Sequence, residues 1–172
     1  MCASFISNVQ AAQAVGTAET VFKGGCMPRI KLEEQPVYEF IFPVTLYPRD
    51  INYGGHLGND SLASLIGSAR AHMLYSMGLN ENDLGDGKTG IIMADLVINF
   101  KSEAFIFDDI EIGTHIGEMR SSGFRIFHRV SKNGIVVALA ETGIAGFDHG
   151  RKKMSPVPES FRKKIEEIQG NR

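Results

Sequence analysis

The chain is poor in cysteine: of 172 residues only Cys2 and Cys26 are thiols, and both precede the region with any hydrophobic pattern. The patterned region therefore offers no disulfide, no thiolate-held metal and no cysteine nucleophile, which fits a reducing compartment. Long hydrophobic runs are missing as well. Asp, Asn, Lys or Glu interrupts every apolar stretch before it reaches the roughly 18 residues needed to cross a bilayer, so no membrane span is expected. Charge of one sign is also lacking, since 18 basic residues against 20 acidic ones leave a net charge of −2 and a pI near 6.2. A protein that neutralises nucleic-acid phosphates would carry a basic excess, so nucleic acid is not an expected partner. No Gly-x-Ser-x-Gly elbow, Walker pattern or dinucleotide glycine pattern occurs. His72, His115, His128 and His149 stand at no metal-ligand spacing and receive no role, and neither metal nor cofactor is expected.

What is present is ordinary globular composition, 43% hydrophobic and 22% charged. A chain of this size buries roughly 70% of its unfolded surface, enough for one core without staples. Residues 1–26 are rich in Ala, Ser and Gly without a sustained period. Residues 1–30 are read as a flexible extension ahead of a single domain over 31–172. The extension lacks the basic n-region and apolar core of a secretory signal and the Arg content of a transit peptide, so a cytoplasmic location is expected, with an organellar address as the alternative.

Within the domain, Val37 to Tyr47 is rich in β-branched and aromatic residues and predicts a strand, with Pro43 at an edge or bulge. Residues 48–61 gather turn formers, after which Leu62, Leu65, Ile66, Ala69 and Met73 recur at helical spacing. Asn59, Asp60 and Ser61 are all suited to the N-cap, and Gly78 followed by Leu79 suits a left-handed stop. The expected helix is roughly 27 Å long, with Ser64, Gly67, Ser68 and Ala71 as a second stripe of small residues. Four further strands are predicted at about 91–101, 105–116, 123–131 and 135–147, forming an antiparallel meander. Leu96, Ile98 and Phe100 are expected on one face, and Asp95, Val97, Asn99 and Lys101 on the other. Asn133-Gly134 marks a tight hairpin. The tail from Pro156 reads as Pro-Val-Pro followed by a short charged helix. The fold class is α+β, an antiparallel sheet of about five strands wrapped around one long helix, the hotdog arrangement. Its open sheet edge and small-residue helix face predict a homo-oligomer, either a dimer or a dimer of dimers.

The run from Arg49 to Asp60 (RDINYGGHLGND) resembles the Asp-x-Asp-x-x-Gly-His-x-x-Asn signature of the 4-hydroxybenzoyl-CoA thioesterase-like hotdog family. The resemblance continues through Asn99-Phe100-Lys101, Phe107-Asp108-Asp109-Ile110, the run from Val137 to Thr142, and Pro156-Val157-Pro158, covering about Val37 to Pro158. It implies hydrolysis of an acyl-CoA thioester to free acid and CoA, in a crevice between two protomers. In that family the carboxylate two residues beyond the first Asp is the nucleophile or general base. Here Asn52 stands at that position, and an amide can orient water but cannot take its proton.

Asp60, at the helix start, and Asp50, in the turn, are the leading replacements for the lost carboxylate, each with an N-cap or turn-cap role as the plainer reading. Asp95, on a strand face, is a third. His56 is a candidate base or donor, because an unperturbed imidazole titrates near pH 6.5. Gly54 and Gly55 would let the chain approach a ligand without a Cβ. The family pattern puts the carbonyl-polarising backbone N–H at Asn59, and Ser64 on the small-residue stripe completes the substrate-binding set. Arg49, Lys101, Arg125 and Arg129 could meet CoA phosphates or serve as solvated strand charges. Two other functions fit the same residues. Asp50-x-Asn52 followed by His56 also resembles the Asp-x-Asn-Pro-x-His motif of R-specific enoyl-CoA hydratases, with the Pro missing and the His one residue further on. Alternatively, loss of the carboxylate leaves a non-catalytic protein that binds acyl thioesters.

Overall fold

A computed structural model describes residues 30–170. The expected extension lies outside the described residues except for Ile30. The elements are β1 (Phe40–Thr45), α1 (Asn59–Ser76), β2 (Thr89–Phe100), β3 (Asp109–Arg120), β4 (Gly123–Lys132), β5 (Ile135–Asp148), β6 (Lys153–Met154) and α2 (Glu159–Gly170). All strand pairs are antiparallel and the sheet runs β1-β3-β4-β5-β2, with β6 beside β5. The α+β class is as expected, with two differences in arrangement. Only β3, β4 and β5 form the meander; β2 pairs with β5 at the far edge rather than with β3. The expected tail helix also packs on the sheet, so that two helices cover it.

The periodicity of α1 explains its packing. Leu62, Ile66, Ala69, Met73 and Leu74 are buried on one face. Leu62, Ile66 and Ala69 meet residues that alternate inward from the sheet, Ile110 and Ile112 of β3, Val130 of β4, and Ala138 and Ala140 of β5, while Met73 and Leu74 pack with Ile116 of β3, Ile126 of β4 and Ile144 of β5. The helix starts one residue earlier than the side-chain pattern suggested, because extended Gly58 is the N-cap and no side chain caps the first turn. Its stop is the expected one. Gly78 has φ +72, its N–H donates to Tyr75 O, and the Leu79 N–H donates to Leu74 O, which satisfies the carbonyls of the last turn. The charged tail does more than decorate the surface: Phe161 and Ile165 of α2 are buried with Phe124, Ile126 and Ile144 and close the second half of the core.

Pro43 occupies edge strand β1, where its missing N–H costs no ladder bond. Asn133 and Gly134 both have positive φ and join β4 to β5 in the expected two-residue turn. Residues 105–108, predicted as strand, form a turn instead, with Phe107 at φ 65 and the Asp108 carboxylate accepting the Phe105 N–H. The opposite face of the sheet is crossed by the segment before β1, where Asn99 accepts the Leu32 N–H and donates to Ile30 O. No helix among the described residues is long and apolar enough to cross a membrane.

Beneath α1, His128 is 1% exposed and bonds Thr114 through Nδ1, while its Nε2 has no partner among the described residues. Burial, aided by the Arg70 charge, pushes its pKa down from 6.5 to about 3. The unfolded chain therefore takes up a proton at this residue below pH 6.5 that the folded chain refuses. Stability is expected to fall from that point towards pH 3 by up to about 1.4 kcal/mol per pH unit. Denaturant titrations from pH 7 to 4 check this, with His128→Leu showing an acid slope shallower by about one proton.

Candidate active site

Three stretches of backbone meet at one end of the sheet. The first is the loop carrying the motif. Asp50, 8% exposed, ends a 3-10 turn over Pro48–Asp50; its Oδ2 accepts the Tyr47 N–H at 2.8 Å and its carbonyl accepts the Gly58 N–H at 2.9 Å. Within the loop, the Asn52 N–H donates to His56 O at 2.9 Å, and Asn52 Oδ1 accepts the Gly54 N–H at 2.8 Å. Asn52 Nδ2 then lies 3.4 Å from His56 Nδ1. An amide can accept from the turn and donate to the imidazole at once, whereas a carboxylate in the same place could only accept. The Leu57 carbonyl lies at the same 3.4 Å from Nδ1 and competes for it. Donation from Asn52 leaves the ring proton on Nε2; donation to Leu57 O puts it on Nδ1.

The second stretch is the start of α1, where Asn59 is the first helical residue and the first-turn N–H groups have no intrahelical partner. The third joins β2 to β3. The Ala104 carbonyl accepts the Leu57 N–H at 2.8 Å, stitching this connection to the motif loop. Lys101 and Ser102 both donate their N–H to Val137 O, at 2.8 and 3.2 Å, across a bulge in β5. Bulges of this kind re-aim backbone beside active sites.

Together these stretches enclose an open cavity of about 310 Å³. Leu57, Phe100, Ala104 and Val137 give it apolar walls, while Asn52, His56, Asn59, Ser102 and Glu103 supply polar groups. Of the residues singled out from the sequence, Asn52, His56 and Asn59 line it. Asp50 lies behind the loop, Gly54 and Gly55 form its exposed bend, Asp60 is exposed in the first turn of α1, and Ser64 lies on that helix's exposed face. Asp95 is held by Arg125, which keeps its carboxyl below the usual range. Arg125 and Arg129 are engaged with Asp95 and Glu141 and with Glu34, while Arg49 is exposed beside the motif loop. The hydratase reading needs Asp50 and His56 on one water, yet the Asp50 carboxylate turns to the Tyr47 N–H and lines no part of the cavity. Among the described residues no group of three or more His, Cys, Asp or Glu could hold a metal ion.

Sequence reasoning passes over Glu103. Its only signal is a charged residue where the alternation of β2 breaks down, and nothing local connects it to a motif some fifty positions earlier.

A six-stranded antiparallel sheet packed on helices, with a histidine and a helix start at one cavity, fits a hotdog-fold thioester hydrolase. The family model of the thioesterase-like superfamily matches residues 46–165, and the chain belongs to that superfamily. Solved structures agree on the fold. A 1,4-dihydroxy-2-naphthoyl-CoA thioesterase from Synechocystis superposes with a TM-score of 0.66 at 19% identity, over 73% of this chain and 94% of that one. A Thermus thermophilus thioesterase complexed with coenzyme A and zinc gives 0.67 at 19% identity, over 80% and 99%. A Staphylococcus aureus protein in complex with CoA gives 0.70 at 16% identity, over 81% and 90%. No curated protein shows a significant match.

Gly54 is where this geometry is most exposed to a single change. A Cβ there would lie 2.9 Å from His56 Nε2 and 3.1 Å from Asn52 Oδ1, so the imidazole would have to move. Gly54→Ala is expected to shift the His56 ring signals in NMR spectra and lower thioester turnover about tenfold or more, with little change in melting temperature. Unchanged ring signals and turnover would show that the imidazole does not depend on this gap.

Proposed function

We propose that the protein hydrolyses an acyl-CoA thioester to the free acid and CoA, at a site completed by a second copy of the chain. The observation that carries the reading is the cavity in which Asn52, His56 and the first residue of α1 converge on an apolar wall. The N–H of Asn59 is positioned to donate to the thioester oxygen, where negative charge develops as the carbonyl carbon becomes tetrahedral. Asn52 orients the His56 ring, whose Nε2 holds water or donates to the departing sulfur according to its tautomer. Asp50 keeps the ends of the loop together, and Gly54 and Gly55 let the loop bend tightly beside the ring. Asp60 places a carboxylate next to Asn59. CoA as the carrier is supported by the two relatives complexed with it.

Pairing with a second copy is supported by what one chain leaves uncovered. Edge strand β2 exposes Ile92 and Met93 at 37% and 54%, and Ser64, Ser68 and Ala71 lie exposed along α1. An unpaired edge and a small-residue helix face each suit close approach of an identical surface. Ser64 would then lie at the seam between protomers rather than in the cavity of its own chain. Residues 31–172 form the catalytic unit.

The test is chromatographic detection of CoA released from aryl, short-chain and long-chain acyl-CoAs, which avoids thiol reagents that also label Cys2 and Cys26. Turnover by the wild type is expected, with His56→Ala and Asn52→Ala each lowering kcat/KM by roughly 10–100-fold. Saturable ester binding without CoA release would make the protein a binding module. Sedimentation should find a dimer or larger assembly, and a monomer at assay concentration would remove the shared site.

A further inference from the structure

We propose that Glu103 is the general base of this site, taking over the proton transfer that Asn52 cannot perform; the proposal rests on the hydrolase reading above. Among the described residues Glu103 is the one carboxylate lining the cavity that holds Asn52, His56 and Asn59. Backbone bonding fixes where it stands. The Leu57 N–H donates to Ala104 O at 2.8 Å, so the residues just before each partner, His56 and Glu103, flank a single main-chain bond. Both neighbours of Glu103 are anchored. Ala104 is 1% exposed, and Ser102 donates its N–H to Val137 O and its Oγ to Val136 O. The Glu103 side chain itself is exposed and makes no ion pair or hydrogen bond among the described residues. An anchored backbone with an uncommitted carboxylate facing a cavity is the arrangement a base requires.

The other nearby carboxylates are committed or misplaced. Asp50 accepts the Tyr47 N–H, and Asp108 accepts Lys132 Nζ and the Phe105 N–H. Asp95 is paired with Arg125, and Asp60, though exposed, does not line the cavity. In the reaction, Glu103 removes a proton from a water held by the imidazole, and the water oxygen bonds to the thioester carbon, whose π pair moves onto oxygen. Collapse of that oxyanion breaks the C–S bond, and the CoA thiolate leaves with the bond pair and recovers the proton from Glu103. The net change is thioester plus water to acid plus thiol, with Glu103 returned to its starting state.

The test compares full-length wild type with Glu103→Gln, Glu103→Asp, Asp50→Asn and Asp60→Asn, reading CoA release, KM and melting temperature. Glu103→Gln is expected to lower kcat by roughly 100-fold or more with KM within about threefold and the melting temperature unchanged, while Glu103→Asp keeps part of the rate. Single turnover in 18O-water should label the product acid and leave the Glu103 peptide unlabelled. Turnover of Glu103→Gln within threefold of wild type, a comparable kcat loss in Asp60→Asn alone, or label in the Glu103 peptide would each overturn the proposal while leaving the hydrolase reading standing. Absence of CoA release by the wild type would instead overturn that reading, and this inference with it.

Discussion

Leu62, Ile66, Ala69, Met73 and Leu74 of α1 lose their contact with water against the sheet, and that burial sets where the helix begins and where its free amide groups open. At about 1.5–3 kcal/mol for each large apolar side chain, this term outweighs the roughly 1 kcal/mol expected of any single hydrogen bond in the motif loop. The loop is thus strung between two fixed points, Asp50 at the end of the 3-10 turn and Gly58 at the helix start, joined by the Gly58 N–H to Asp50 O bond. Its bend is short enough that Asn52 and His56 meet without help from distant residues.

Asn52 shows how one substitution relative to the family pattern redistributes the chemistry. As an amide it serves the turn through Oδ1 and reaches the imidazole through Nδ2, so it contributes more to structure than an acid there could. What it gives up is the ability to accept a proton. In the proposed reaction that function comes from elsewhere, and the β2–β3 connection is the stretch of chain that brings a carboxylate to the same wall.

Order within that connection comes from the sheet. The bulge in β5 turns Val137 O towards Lys101 and Ser102, and Lys132 fixes the following turn through Asp108. Neither contact touches the reacting groups, yet both limit how far residues 101–108 can move relative to the motif loop. A site assembled from two loops gains its precision from the rigid strands that anchor them.

Much of this is legible in the sequence, because the relevant physics is local. Helical spacing marks the buried face of α1, Gly78 its stop, Asn133-Gly134 the hairpin, and the run from Asp50 to Asn59 the loop that carries Asn52 and His56. Strand order is not legible: β2 alternates equally well beside β3 or β5, and only long-range pairing places it at the edge. The turn at 105–108 escapes a sequence reading because Phe105, Ile106 and Phe107 favour a strand, while the Asp108 carboxylate and the neighbouring Lys132 favour the turn. The sequence by itself determined the class of fold and the motif loop, since side-chain period and turn chemistry act over a few residues. Only the tertiary structure decided which carboxylate shares a wall with His56, because that depends on a main-chain bond between segments 47 positions apart.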